Sequence, residues 1–144
     1  MKKTIFYLIL VFLTFSCINN VRSKYLSYSD YKNSTFRKQS WFPDFVSKDS
    51  YELYEIHNIE TNNSFGKFQY SNSHYYDSVF QTKKELTPIT YSVFKSKVEK
   101  IKSPSKPDWF PTEPDLIKMQ FYTYQFFYIA VDKSNMIIFF IITY

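Results

Sequence analysis

Two long apolar and aromatic runs near the C-terminus constrain this chain more than any other feature. IKMQFYTYQFFYIAV at 117–131 and MIIFFIITY at 136–144 flank the polar stretch Asp132-Lys133-Ser134-Asn135, which has turn chemistry. Runs of this kind joined by a short polar turn predict two antiparallel strands. The second lacks polar alternation, as expected of a central strand covered on both faces. A transmembrane reading fails on physical grounds. About nine residues suit a membrane strand, but two strands cannot close a barrel, and open edges do not occur in lipid.

A second hairpin is predicted upstream. Tyr51 to Ile59 is dominated by aromatic and β-branched residues, with polar ones interleaved. Glu60-Thr61-Asn62-Asn63-Ser64 is a turn cluster, and Phe65 to Tyr70 alternates cleanly. Residues 71–86 predict a helix capped by Ser71 or Ser73, with Tyr75, Tyr76, Val79, Phe80 and Leu86 on one face, ended by Thr87-Pro88. Residues 91–102 lean to a helix through the Phe94, Val98 and Ile101 stripe, and 103–107 is loop. The sum is a small single-domain α+β fold over 41–144. It has an N-terminal-half hairpin, one or two helices and a C-terminal antiparallel aromatic hairpin. Trp41-Phe42-Pro43 opens it on a rigid extended segment.

The other end of the chain speaks to location. Lys2 and Lys3 precede an uncharged apolar run, Thr4 to Phe15, which stops at Ser16-Cys17 and gives way to a polar tract. The run has the length of a secretory h-region and is too short to span a bilayer comfortably. The small residue followed by Cys at this junction resembles a bacterial lipoprotein signal. That resemblance implies cleavage before Cys17 and a diacylglyceryl group on its thiol. The expected organisation is a signal peptide over 1–16, a lipid-anchored polar tether over 17–40 and the domain over 41–144. Cys17 is the sole Cys, so no intrachain disulfide can form and the fold stands on its core. Two acyl chains meet the requirement for stable anchoring, which one chain does not.

Composition supports a folded envelope protein. The abundance of Phe, Tyr, Ile, Asn and Lys beside one Ala and one Gly is the signature of AT-rich codons. Aromatics at 22% suffice for a dense core in a small protein. The net charge of +5 includes Lys2 and Lys3, and what remains is too small to argue for nucleic acid.

A further resemblance joins several of these segments. Trp41-Phe42-Pro43-Asp44-Phe45-Val46, then Ile56-His57-Asn58-Ile59-Glu60-Thr61-Asn62, then Phe65 and Phe68 are similar to small uncharacterised bacterial proteins of the YbbD head-domain type. The second Trp-Phe-Pro, at 109–111, and the closing aromatic hairpin extend the likeness over 41–144. It implies an α+β domain and transfers no activity.

The motifs of chemistry are sparse. His57 and Glu60 stand three apart, as do His74 and Asp77, but a metal site needs three or four ligands and no third is signalled. With one Gly, a phosphate-cradling loop is close to excluded, and no nucleophile motif is present. No catalytic, cofactor or metal residues are therefore expected, and lipidation at Cys17 is the one assigned site. Lys83 to Lys106 holds a lysine run that would suit anionic headgroups or an acidic partner, or simply form a solvated face.

The sequence leads to a membrane-anchored envelope lipoprotein with a non-catalytic binding or structural domain. Its expected contacts are membrane lipid through acylated Cys17 and an envelope protein partner, with no nucleic acid and no cofactor. Alternatives are a small envelope enzyme or metal-dependent protein using His57 or His74, and an immunity or inhibitor lipoprotein paired with a toxin.

Overall fold

The computed structural model describes residues 19–35 and 41–144. The predicted signal peptide and Cys17 lie outside the described residues.

One antiparallel sheet organises the molecule. Its strands are β1 (Asn20–Ser27), β2 (Ser50–Asn58), β3 (Ser64–Tyr70), β4 (Thr87–Ile89), β5 (Gln120–Tyr124), β6 (Phe127–Asp132) and β7 (Ile137–Ile142), in spatial order β1-β2-β3-β7-β6-β5-β4. Helices α1 (Tyr28–Asn33) and α2 (Ser73–Thr82) pack on one face, and α3 (Tyr91–Lys100) and α4 (Glu113–Leu116) on the other. This is the α+β class read from the sequence.

β7 occupies the middle of the sheet, paired with β3 on one side and β6 on the other. Its alternate residues enter two separate cores. Ile138, Phe140 and Ile142 join Leu53, Phe68, Phe127 and Ile129 on the first face. Phe139 and Ile141 join Phe65, Phe94, Phe110 and Phe121 on the second. That division accounts for the missing polar alternation, since neither parity of β7 meets water. Phe42 packs edge-on to Phe140 on the first face, while Phe110 does the same to Phe65 and Phe139 on the second. The two Trp-Phe-Pro segments thus cover opposite sides of the sheet and share no rim.

Three local features differ from the sequence reading. First, residues expected within the 17–40 tether form β1 and α1. β1 pairs with β2 from Asn20↔Asn58 to Ser27↔Tyr51, and α1 buries Tyr31 against Phe42. The alternation in β1 is carried by Ser23, Tyr25 and Ser27, so no aliphatic pattern betrays it. Ser27 and Asp30 close a capping box that fixes the turn into α1.

Second, the run 117–131 is not a single strand. It folds back on itself at Gln125-Phe126, giving β5 and β6. Gln125 takes φ 53°, and the turn is made without Gly, Asn or Asp. Tertiary pairing, with Tyr124 opposite Phe127, imposes it. Third, Thr87-Pro88 is not only a helix stop. It forms β4, a short edge strand, where Pro is tolerated because one side of the strand needs no donor.

The irregular period of β2 has a physical cause. Tyr51 pairs with Gln69 but Tyr54 pairs with Lys67, so one extra residue is inserted around Glu52, whose φ is 49°. This β-bulge shifts the facing of the strand midway. α2 is capped by Asn72, whose Oδ1 accepts from the His74 N–H at 2.9 Å, where Ser71 or Ser73 was expected.

Candidate functional site

Beyond the bulge, alternation on β2 sends Leu53, Glu55 and His57 toward the first face. Their cross-strand partners face the same way: Ser23 on β1 opposes Glu55, and Ser64 on β3 opposes His57. Four polar side chains from three adjacent strands therefore converge inside a predominantly aromatic core. All are buried, with Ser64 at 0% and Glu55 at 1% exposure. The Trp41 ring stacks on the His57 ring, centroids 4.4 Å apart and planes within 10°. Trp41 therefore roofs the cluster, and the only glycine, Gly66, forms part of its floor opposite Glu55.

Among the described residues, Ser23 Oγ, both Glu55 oxygens, His57 Nδ1 and Ser64 Oγ have no hydrogen-bond partner. His57 Nδ1 stands 3.3 Å from Glu55 Oε1, within ion-pair range but not aligned as a hydrogen bond. Burial pushes the Glu55 carboxyl up to about 7, and the His57 contact opposes that rise only partly. A carboxyl held near neutrality beside an imidazole can exchange a proton at physiological pH. Closure limits what it can do, since the side chains of His57 and Glu55 are only 4% and 0% exposed.

The next residue has a different task. Asn58 Oδ1 accepts from the Glu60 and Thr61 N–H groups and from Thr61 Oγ1, at 2.9–3.1 Å. Its Nδ2 donates to Asn20 Oδ1 and to Ser103 Oγ, both at 2.9 Å. One side chain thereby ties the start of β1, the β2–β3 turn and the loop after α3. The Ile56–Asn62 motif is thus a structural knot, with His57 turned inward and Glu60 exposed in the turn.

The sequence-derived pairs do not assemble. Glu60 points away from His57, whose acidic neighbour is Glu55. His74 is exposed, and Asp77 lies 3.8 Å from Lys133. Among the described residues, no group of three or more His, Cys, Asp or Glu side chains could hold a metal ion. Glu55, Ser23 and Ser64 escaped the sequence reading because only the pairing of three strands brings them together, and each alone has the residue type of a solvent-facing strand position. A carboxylate two residues from a core Leu was the available signal.

The lysine run is not one patch either. Lys83 bonds Asp44 at 2.7 Å and the Tyr124 hydroxyl at 2.9 Å, on the first face. Lys95 pairs with Glu113, and Lys97 lies over the Tyr128 ring, on the second. A cleft of about 410 Å³ runs beside the first core, lined by Tyr28, Tyr31, Phe42, Gln125, Phe126 and neighbouring residues.

Comparison with curated proteins and with solved structures gives no match. A family model does match, and its span coincides with β1, α1, β2 and β3, so it begins upstream of the Trp41 start expected from the motifs and stops before the second Trp-Phe-Pro. Over residues 19–69, which carry the roofed polar cluster and the Asn58 knot, the chain is similar to the YbbD head domain.

Proposed function

We propose that this protein is a lipid-anchored envelope protein whose domain serves as a non-catalytic binding or structural module. The observation that carries it is the Ser16-Cys17 junction, where the apolar run ends and the only thiol stands. Two lines support it. The sheet starts at Asn20, so a chain held at Cys17 enters folded structure almost at once. The most polar interior site is sealed by Trp41, which suits a structural role better than substrate turnover. The partner such a module would hold is another envelope protein. A second reading, a small enzyme working through Glu55 and His57, draws on the near-neutral carboxyl beside an imidazole. It requires Trp41 to swing away.

The test is Cys17→Ser expressed in a bacterial host. The expected result is loss of the diacylglyceryl mass and release of the protein from the membrane fraction. Unchanged mass and partitioning would overturn the anchored reading.

A further inference from the structure

The strand register sorts the surface into two ends. The end that holds Asn20 also holds the β2–β3 turn at Ile59, the β5–β6 turn at Phe126 and the loop at Ser103. The Asn19 carbonyl accepts directly from the Ile59 N–H at 2.9 Å. Both longer helices finish here as well. α2 ends at Thr82, just before Lys83 reaches Tyr124, and α3 ends before Ser103, which bonds Asn58.

We infer that this end of the sheet lies flat on the bilayer surface, with Ile59 and Phe126 dipping into the interface and Lys84, Lys100 and Lys102 among the headgroups. The inference rests on the acylation of Cys17 proposed above. Its geometric core is chain length. Two residues separate Cys17 from Asn20, and the three steps between them reach about 10 Å when fully extended. An acylated Cys17 sits at the level of the headgroups, so whatever surrounds Asn20 is held against them.

Exposure alone would not choose this end. Ile59 is 53% and Phe126 39% exposed, but Leu26 at 66% and Ile117 at 62% mark the opposite end equally well. The covalent route of the chain decides. Charge adds little: Lys84, Lys100 and Lys102 are exposed, but so are Glu60, Glu85 and Glu99. A face so nearly balanced rests on the membrane through its anchor. Contact should therefore persist at salt concentrations that screen headgroup attraction.

The experiment uses lipidated full-length protein in phosphatidylcholine–phosphatidylglycerol vesicles. Single Cys residues are introduced at 26, 59, 117 or 126 and labelled with an environment-sensitive dye, Cys17 being blocked by its lipid. Mass is measured first. Dyes at 59 and 126 should shift to the blue and be quenched by headgroup-labelled lipids, in low and high salt alike, while those at 26 and 117 stay unshifted. Vesicle-bound protein with quenching at 26 or 117, or at none of the four, would overturn the orientation and leave the anchor intact. A mass without lipid at Cys17 would instead overturn the anchor, and the orientation with it.

Discussion

The ring of Phe140 on β7 presses on Gly66 of β3, so closely that a β-carbon there would sit 2.0 Å from the ring's Cζ. The two residues are direct cross-strand partners, and Phe140 also meets Phe42, Phe68 and Phe127. In a chain with one glycine, its position is set by this aromatic ring and not by a turn.

Gly66→Ala should therefore destabilise the fold by about 3 kcal/mol, the upper part of the range for overpacking a core. The urea midpoint would fall without a change in slope. Combining it with Phe140→Leu should cost less than the two single changes summed, because the clash and the lost ring share one space. Additive costs would disprove the relationship.

The buried carboxyl gives a pH dependence of known sign. Glu55 titrates near 7 folded and near 4.5 unfolded, so the folded state holds more protons between those values. Its contribution is full below pH 4.5, declines as pH rises and is lost above about 7, an effect of about 3 kcal/mol. Urea midpoints measured from pH 4 to 8 should show that decline in the wild type. Glu55→Gln should flatten it and be the more stable form at pH 8.

Trp41 controls the same quantity from outside. Trp41→Ala uncovers His57 and lets water approach Glu55, which relieves the desolvation that raises its pKa. The variant should lose about 3 kcal/mol of stability from the missing ring. It should also show a shallower pH slope than the wild type. An unchanged slope would mean that Trp41 does not seal the cluster.

Asn58→Ala breaks bonds to three separate segments. The expected loss is about 2–4 kcal/mol, since several partners are left unmatched at once. Hydrogen exchange should rise at the β2–β3 turn and at the start of β1, and stay unchanged at the far end of β2.

How much of this was legible depended on whether neighbours in sequence were also neighbours in space. The β7 strand and the 51–70 hairpin could be read directly, because a run of nine uncharged, mostly apolar residues and a polar turn leave few options. β1 could not, because Ser23 and Tyr25 take their burial from β2 and from Phe42, which lie far along the chain. The turn at Gln125 was hidden for the same reason, as pairing forces a positive φ on a residue with no turn preference. At the candidate site, His57 was visible as a residue but not as a neighbour of Glu55. The two share a face by the strand's alternation, and that this face is the buried one follows from the pairing with β1 and β3, which no composition rule announces.

The position of β7 governs when the fold can close. It follows both β3 and β6 in the chain and pairs with each of them, so neither half of the sheet is complete until residues near 142 are available. A nascent chain therefore stays open, with its aromatic edges unpaired, until those residues emerge. A truncation that removes β7 should therefore leave the protein without a native state.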